Sequence, residues 1–178
     1  AFLDENSDVT VYLPRSFPST IKRRVTRAGA RLVEVGDSVE ICRGAQTTGV
    51  LGDGINEQAL IVETAQGAVV ITGCAHPGIV RIVRRAKALV DDELYLAIGG
   101  FHLGGAGERR IAEIIEDLQR FGLEKAAPSH CSGARARTLF EAAYGDDFVR
   151  AGAGLVLRIG EEARGASRSE LGDVNRPK

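Results

Sequence analysis

The chain is 178 residues long, 44% hydrophobic and 26% charged, with a formal net charge of -1. That length suits one domain with a real core, and that balance offers no basic surface to nucleic acid or an anionic membrane. No apolar run approaches the ~20 residues of a membrane helix, and no signal peptide is visible.

The chain opens on Ala1 in polar sequence close to a strand, which leads us to expect a processed or truncated product. VTVYLP (9–14) reads as a strand. A short helix follows from Pro18-Ser19, with Ile21, Val25 and Ala28 as its buried stripe and Gly29 as its stop. RLVEV (31–35), SVEIC (38–42) and a short run toward Val50 read as strands, with a turn near Gly44. LGDGINEQ (51–58) reads as a loop. EQALIVET (57–64) and GAVVITG (67–73) form a hairpin pattern, so the first half looks mostly antiparallel.

After Gly73 strands and helices alternate. The helical period predicts helices over 78–90, 108–121 and 133–145, the last capped by Ser132. ELYLAIG (93–99), KAA (125–127) and AGLVLRI (153–159) are the intervening and final strands. Residues 161–178 are charged and poor in apolar side chains, so a disordered tail is expected there after one domain over 1–160.

The only three histidines, His76, His102 and His130, each follow a strand-like run and precede a helix-like one. Strand–loop–helix units in series build a parallel sheet with such loops at one edge, so the three imidazoles are expected to converge. Imidazole is a common metal ligand, and three protein ligands plus a water is the usual catalytic zinc arrangement. Pro77 pushes His76 toward extended backbone, and glycines crowd His102 from Gly99 to Gly105. For each histidine the plainer reading is a turn-filling or solvated side chain.

Cys42, Cys74 and Cys131 are too few and too odd in number for a disulfide framework, which points to a reducing cytoplasm. Cys74 could be a ligand, an activated nucleophile or a buried structural residue. Asp53 reads as a turn residue, Asp91 and Asp92 as solvated, and Arg81, Arg84, Arg85 and Lys87 as a solvated helix face that could hold an anion.

The segments ALIVETAQGAVVITGCAHPGIVRIV, LAIGGFHL and PSHCSGARA, with Tyr144-Gly145, Phe148, Gly152 and Gly154, resemble the metallo-β-lactamase superfamily over roughly residues 57–159. The branch they resemble is that of the 7,8-dihydropterin-6-methyl-4-(β-D-ribofuranosyl)aminobenzene 5′-phosphate synthase-like proteins. The resemblance implies an α/β fold, the αββα sandwich, with one or two divalent metals, most often zinc, at one edge. It implies a hydrolase- or synthase-like enzyme acting through a metal-bound hydroxide on a small, phosphorylated, pterin-like substrate. By resemblance His130 matches the late Pro-x-His metal ligand. His76 is the second metal ligand, near the strand-end position where many members carry a bridging aspartate. Cys74 replaces that aspartate and is a catalytic candidate, as is His102, which belongs to the Gly-Gly-Phe-His-Leu motif typical of this branch and is by resemblance a ligand or a substrate contact.

The superfamily motif His-x-His-x-Asp-His does not occur in these 178 residues. The expectation is therefore a sandwich incomplete at its N-terminus, an apolar sheet face left uncovered, half of a metal site and no hydrolase activity in the isolated chain. Expected partners are a small-molecule substrate and, in a homo-oligomer, further copies of the chain. The alternatives are a non-catalytic remnant that binds metal or ligand, and a cysteine-dependent enzyme using Cys74 or Cys131 with a histidine. A dinucleotide-binding fold is disfavoured, because no Gly-x-Gly-x-x-Gly opens a helix after a strand.

Overall fold

A computed structural model describes residues 2–91 and 93–160. The expected tail over 161–178 and the reading of Asp92 lie outside the described residues.

A helical turn, α1 (Phe2–Glu5), precedes β1 (Thr10–Pro14), α2 (Ser19–Arg27) and β2 (Arg31–Val35). β1 and β2 pair in parallel as their own two-stranded sheet. This pair is the one parallel pairing in an otherwise antiparallel first half, because a helix between two strands returns the chain to the end where it started. Only Val25 of the expected α2 stripe is buried, and Ile21 is 38% exposed, because two strands offer little surface for a helix to cover.

The main sheet has six strands in sequence order: β3 (Glu40–Cys42), β4 (Ala45–Thr47), β5 (Leu60–Thr64), β6 (Gly67–Thr72), β7 (Leu94–Gly100) and β8 (Lys125–Ser129). β3 to β6 run antiparallel, and β6, β7 and β8 are parallel. The switch coincides with the appearance of crossover helices α3 (Ile79–Lys87) and α4 (Glu108–Arg120); α5 (Ala134–Tyr144) follows β8.

All three of these helices lie on one face of the sheet. Ile79, Ile82, Val83 and Ala86 of α3, Ile111, Ile114, Ile115 and Leu118 of α4, and Ala136 and Phe140 of α5 pack on Ile61, Ala68, Val70, Leu94, Ala97 and Ala126. Phe101 meets Phe140 edge to face at 5.5 Å, a favoured aromatic geometry.

The register of β7 slips against β6, so that Ala68 faces Leu94 and Val69 faces Leu96. Tyr95 is the extra residue, a bulge that resets which side chains face the helices. Leu94 and Ala97 consequently join the helix-side core, and Leu96 and Ile98 the opposite face.

That opposite face carries Val69, Leu96 and Ala127. The predicted final strand over 153–159 does not form; the chain pairs with β8 only at Phe148 and Val149, and a turn closed by Leu155 N–H on the Gly152 carbonyl follows. Ala151 and Ile159 pack on the sheet instead, while Leu155, Val156 and Leu157 stay exposed. No helix among the described residues is long and apolar enough to cross a membrane.

Candidate metal centre

Because β6, β7 and β8 are parallel, their C-terminal ends share one edge, with Thr72 beside Gly99 and Gly100 beside Ser129. His76, His102 and His130 follow those ends directly. Each of the three loops contains one non-glycine residue in left-handed backbone: Ala75 (φ 61°), His102 (φ 52°) and His130 (φ 49°). Such backbone costs of order 1–3 kcal/mol per residue and persists only where surrounding contacts enforce it.

His76 is half-buried and tied to a residue that the sequence reading passed over. Its Nδ1 meets the Glu57 carboxylate, whose second oxygen accepts the His76 backbone N–H at 3.3 Å. An ionised carboxylate only accepts, so Nδ1 carries the hydrogen and Nε2 is left for a ligand. A signal for Glu57 was available. The β5–β6 hairpin pairs Leu60 with Ile71, and extending that pairing brings Glu57 opposite Cys74.

Two sets of potential ligand atoms result. Glu57, Cys74 and His76 place theirs within 4.8 Å of one another, and so do Cys74, His130 and Cys131. Cys74 belongs to both. Its thiol is pushed above its ordinary pKa, first by burial, then by the hydrogen bond and charge of Cys131 and by the charge of Glu57. Cys131 Sγ also points at the Cys74 carbonyl at 3.5 Å. All three cysteines are free, and Cys42 is exposed outside both sets.

His102 is in neither set. Its ring lies 4.3 Å from that of His76, tilted by 52°, and is exposed. The two rings share a cleft of about 260 Å³ with Phe101, Leu103 and Arg110. His130 borders a larger cleft of about 600 Å³, lined by Ile98, Ser129, Arg137, Leu155 and Leu157. No partner for the Arg137 guanidinium exists among the described residues.

The loops are held together by small residues. A Cβ on Gly100 would sit 2.4 Å from the Gly73 carbonyl oxygen and 2.8 Å from Cys131 Sγ, so only glycine lets the three loops meet. Ser132 does not cap α5 as expected. Its buried hydroxyl is committed elsewhere, accepting Phe101 N–H at 3.0 Å and donating to the Ser129 carbonyl at 2.6 Å.

The other charged candidates behave as surface groups. Arg81 pairs with Asp53 at 2.8 Å and, by that hydrogen bond, holds its carboxyl below the usual range. Arg85 reaches the Thr48 carbonyl, so this helix face is occupied with local contacts rather than directed at the histidines.

No family model matches the chain. A solved structure, a metal-dependent hydrolase of the β-lactamase superfamily, superposes with a TM-score of 0.68 at 25% identity, over 78% of this chain and 63% of that one. The chain has the metallo-β-lactamase-like fold. Among curated proteins it is 35% identical over 111 residues to a 7,8-dihydropterin-6-methyl-4-(β-D-ribofuranosyl)-aminobenzene-5′-phosphate synthase of Methanocaldococcus jannaschii, and 34% identical over 88 residues to an uncharacterised protein of the same organism. Those matches cover 62% and 48% of this chain. The chain spans 38% and 31% of the length of these two relatives.

In this fold the parallel half of the sheet supplies the edge at which the histidine loops meet. The donor set there, imidazole, thiol and carboxylate on three converging loops, has the chemistry of a divalent-metal site.

Proposed function

We propose that this edge is part of the active site of a metal-dependent hydrolase- or synthase-like enzyme acting on a small phosphorylated substrate, pterin-like by likeness to the archaeal synthase. The observation that carries the reading is the place of Cys74, whose sulfur joins the Glu57–His76 pair to the Cys131–His130 pair. His76 and His130 are the metal-holding histidines, and zinc is the ion that suits them best. When bound, the ion acidifies a water and polarises a phosphoryl oxygen.

The chain's own residues do the rest. Glu57 fixes the tautomer and orientation of His76. His102, exposed beside His76, offers an imidazole to the substrate at the smaller cleft. Arg137 binds the substrate phosphate at the wall of the larger cleft, where a planar guanidinium can make paired charge-assisted hydrogen bonds. Ile98, Leu155 and Leu157 give that cleft an apolar side for a ring system.

Metal content tests the reading. Elemental analysis of the purified, reduced chain is expected to find a stoichiometric divalent metal that His76→Ala and His130→Ala lose. A wild-type chain that takes up neither zinc, cobalt nor manganese overturns it.

A further inference from the structure

The geometry points to Cys74 and Cys131 as metal ligands with His130, a sulfur-rich set that selects a thiophilic ion over magnesium, manganese or calcium. This deepens the proposed function and rests on its premise that the edge binds a metal. The two sulfurs and one imidazole nitrogen lie within 4.8 Å of one another. Adjacent ligands of a tetrahedral zinc with bonds of about 2.0–2.3 Å stand roughly 3.3–3.8 Å apart. Small side-chain rotations therefore close the set.

Three features favour ligation over packing as the role of these thiols. Both cysteines are half-buried, whereas a space-filling cysteine is normally fully enclosed. The contact that Cys131 now makes, with the Cys74 carbonyl at 3.5 Å, is weak and readily exchanged. The backbone has made room for sulfur, because Cys131 Sγ occupies space that a Cβ on residue 100 would need.

Thiolate is the softest side-chain donor, and carboxylate- and water-seeking ions compete poorly for it. Zinc, cobalt(II) and iron(II) are the ions this set accepts. Its sulfur content also separates it from the all-imidazole arrangement that the three histidines suggest on their own.

The test uses the full 178-residue chain, reduced, freed of metal with a chelator and titrated anaerobically with Co²⁺. The expected spectrum has a near-ultraviolet sulfur-to-cobalt charge-transfer band that weakens in Cys74→Ser and in Cys131→Ser and vanishes in the double variant. Zn²⁺ displaces the cobalt, and a large excess of Mg²⁺ does not. An unmutated control is thiol alkylation read by mass spectrometry, in which Zn²⁺ protects Cys74 and Cys131 but leaves Cys42 reactive. Cobalt bound with ligand-field bands alone, or cysteines alkylated equally fast with and without Zn²⁺, overturns thiolate ligation and leaves the metal-site reading standing. No cobalt bound at all overturns both.

Discussion

The buried hydroxyl of Ser132 accepts the backbone N–H of Phe101 at 3.0 Å, joining the loop that carries His130 to the loop that carries His102. The same hydroxyl donates to the Ser129 carbonyl at 2.6 Å, so it is fully used. Ser132→Ala leaves a buried N–H and a carbonyl without partners. The expected cost is about 1–3 kcal/mol, measured by urea unfolding. An unchanged midpoint would show that water replaces the hydroxyl and that the loops do not depend on it.

Glu57 acts through His76. Glu57→Gln keeps the shape but replaces the accepting carboxylate, and loss of such a partner typically lowers metal affinity about 10–100-fold. Competition with a chromophoric chelator measures this. Circular dichroism and the unfolding midpoint are expected to change little. Undiminished zinc affinity would remove Glu57 from the site.

Gly100, the last residue of β7, and Gly105, in the loop that follows, predict opposite outcomes. Alanine at 100 drives a methyl into the Gly73 carbonyl and Cys131 Sγ, whereas a Cβ at 105 meets nothing within 4 Å. Gly100→Ala is expected to cost about 1–3 kcal/mol, as overpacking does, and to disturb cobalt binding. Gly105→Ala is expected to do neither, and equal behaviour of the two would contradict the close approach of the loops.

Lys125 supplies a pH signature. Its ammonium lies 2.5 Å from Asp147, and that hydrogen bond, helped by the charge of Asp147 and opposed by burial, raises its pKa above the ordinary 10.5. The charged lysine is therefore favoured in the folded chain. Its contribution is complete below pH 10.5 and is lost as pH rises through the higher folded value. The pair is only half-buried and therefore screened by solvent, so the effect is small, under about 1 kcal/mol. Stability curves over this alkaline range should show a decline that Lys125→Met lacks; parallel curves would deny the coupling.

Arg137→Ala should weaken inorganic phosphate binding at the larger cleft while leaving zinc stoichiometry intact, both readable by calorimetry. Loss of zinc with the variant would place Arg137 in the scaffold instead. Turnover by these 178 residues alone is expected to be absent, since the superfamily motif that supplies most of the first metal's ligands does not occur in them. Robust metal-dependent hydrolysis of a phosphate ester by the isolated chain would show that the three-loop edge suffices.

The alternating strands and helices after Gly73 were legible because hydrophobic period is a local property: 3.6 residues along α3 and α4, a buried run along β6. The hairpin followed from its short connection, and the shared edge of His76, His102 and His130 followed from the rule that successive strand–helix units run parallel. Pairing partners are not local. That β1 and β2 form their own parallel sheet, that Tyr95 bulges and exchanges the faces of β7, and that residues 153–159 lie across the sheet rather than joining it depend on which distant surface each segment meets. The same holds at the metal edge. Sequence by itself determined that three imidazoles stand at the strand ends. Only the tertiary structure decided that Glu57 holds His76 and that Cys131 comes within reach of Cys74, because those contacts need loops at the ends of three strands of one sheet, β5, β6 and β8, to close on one another.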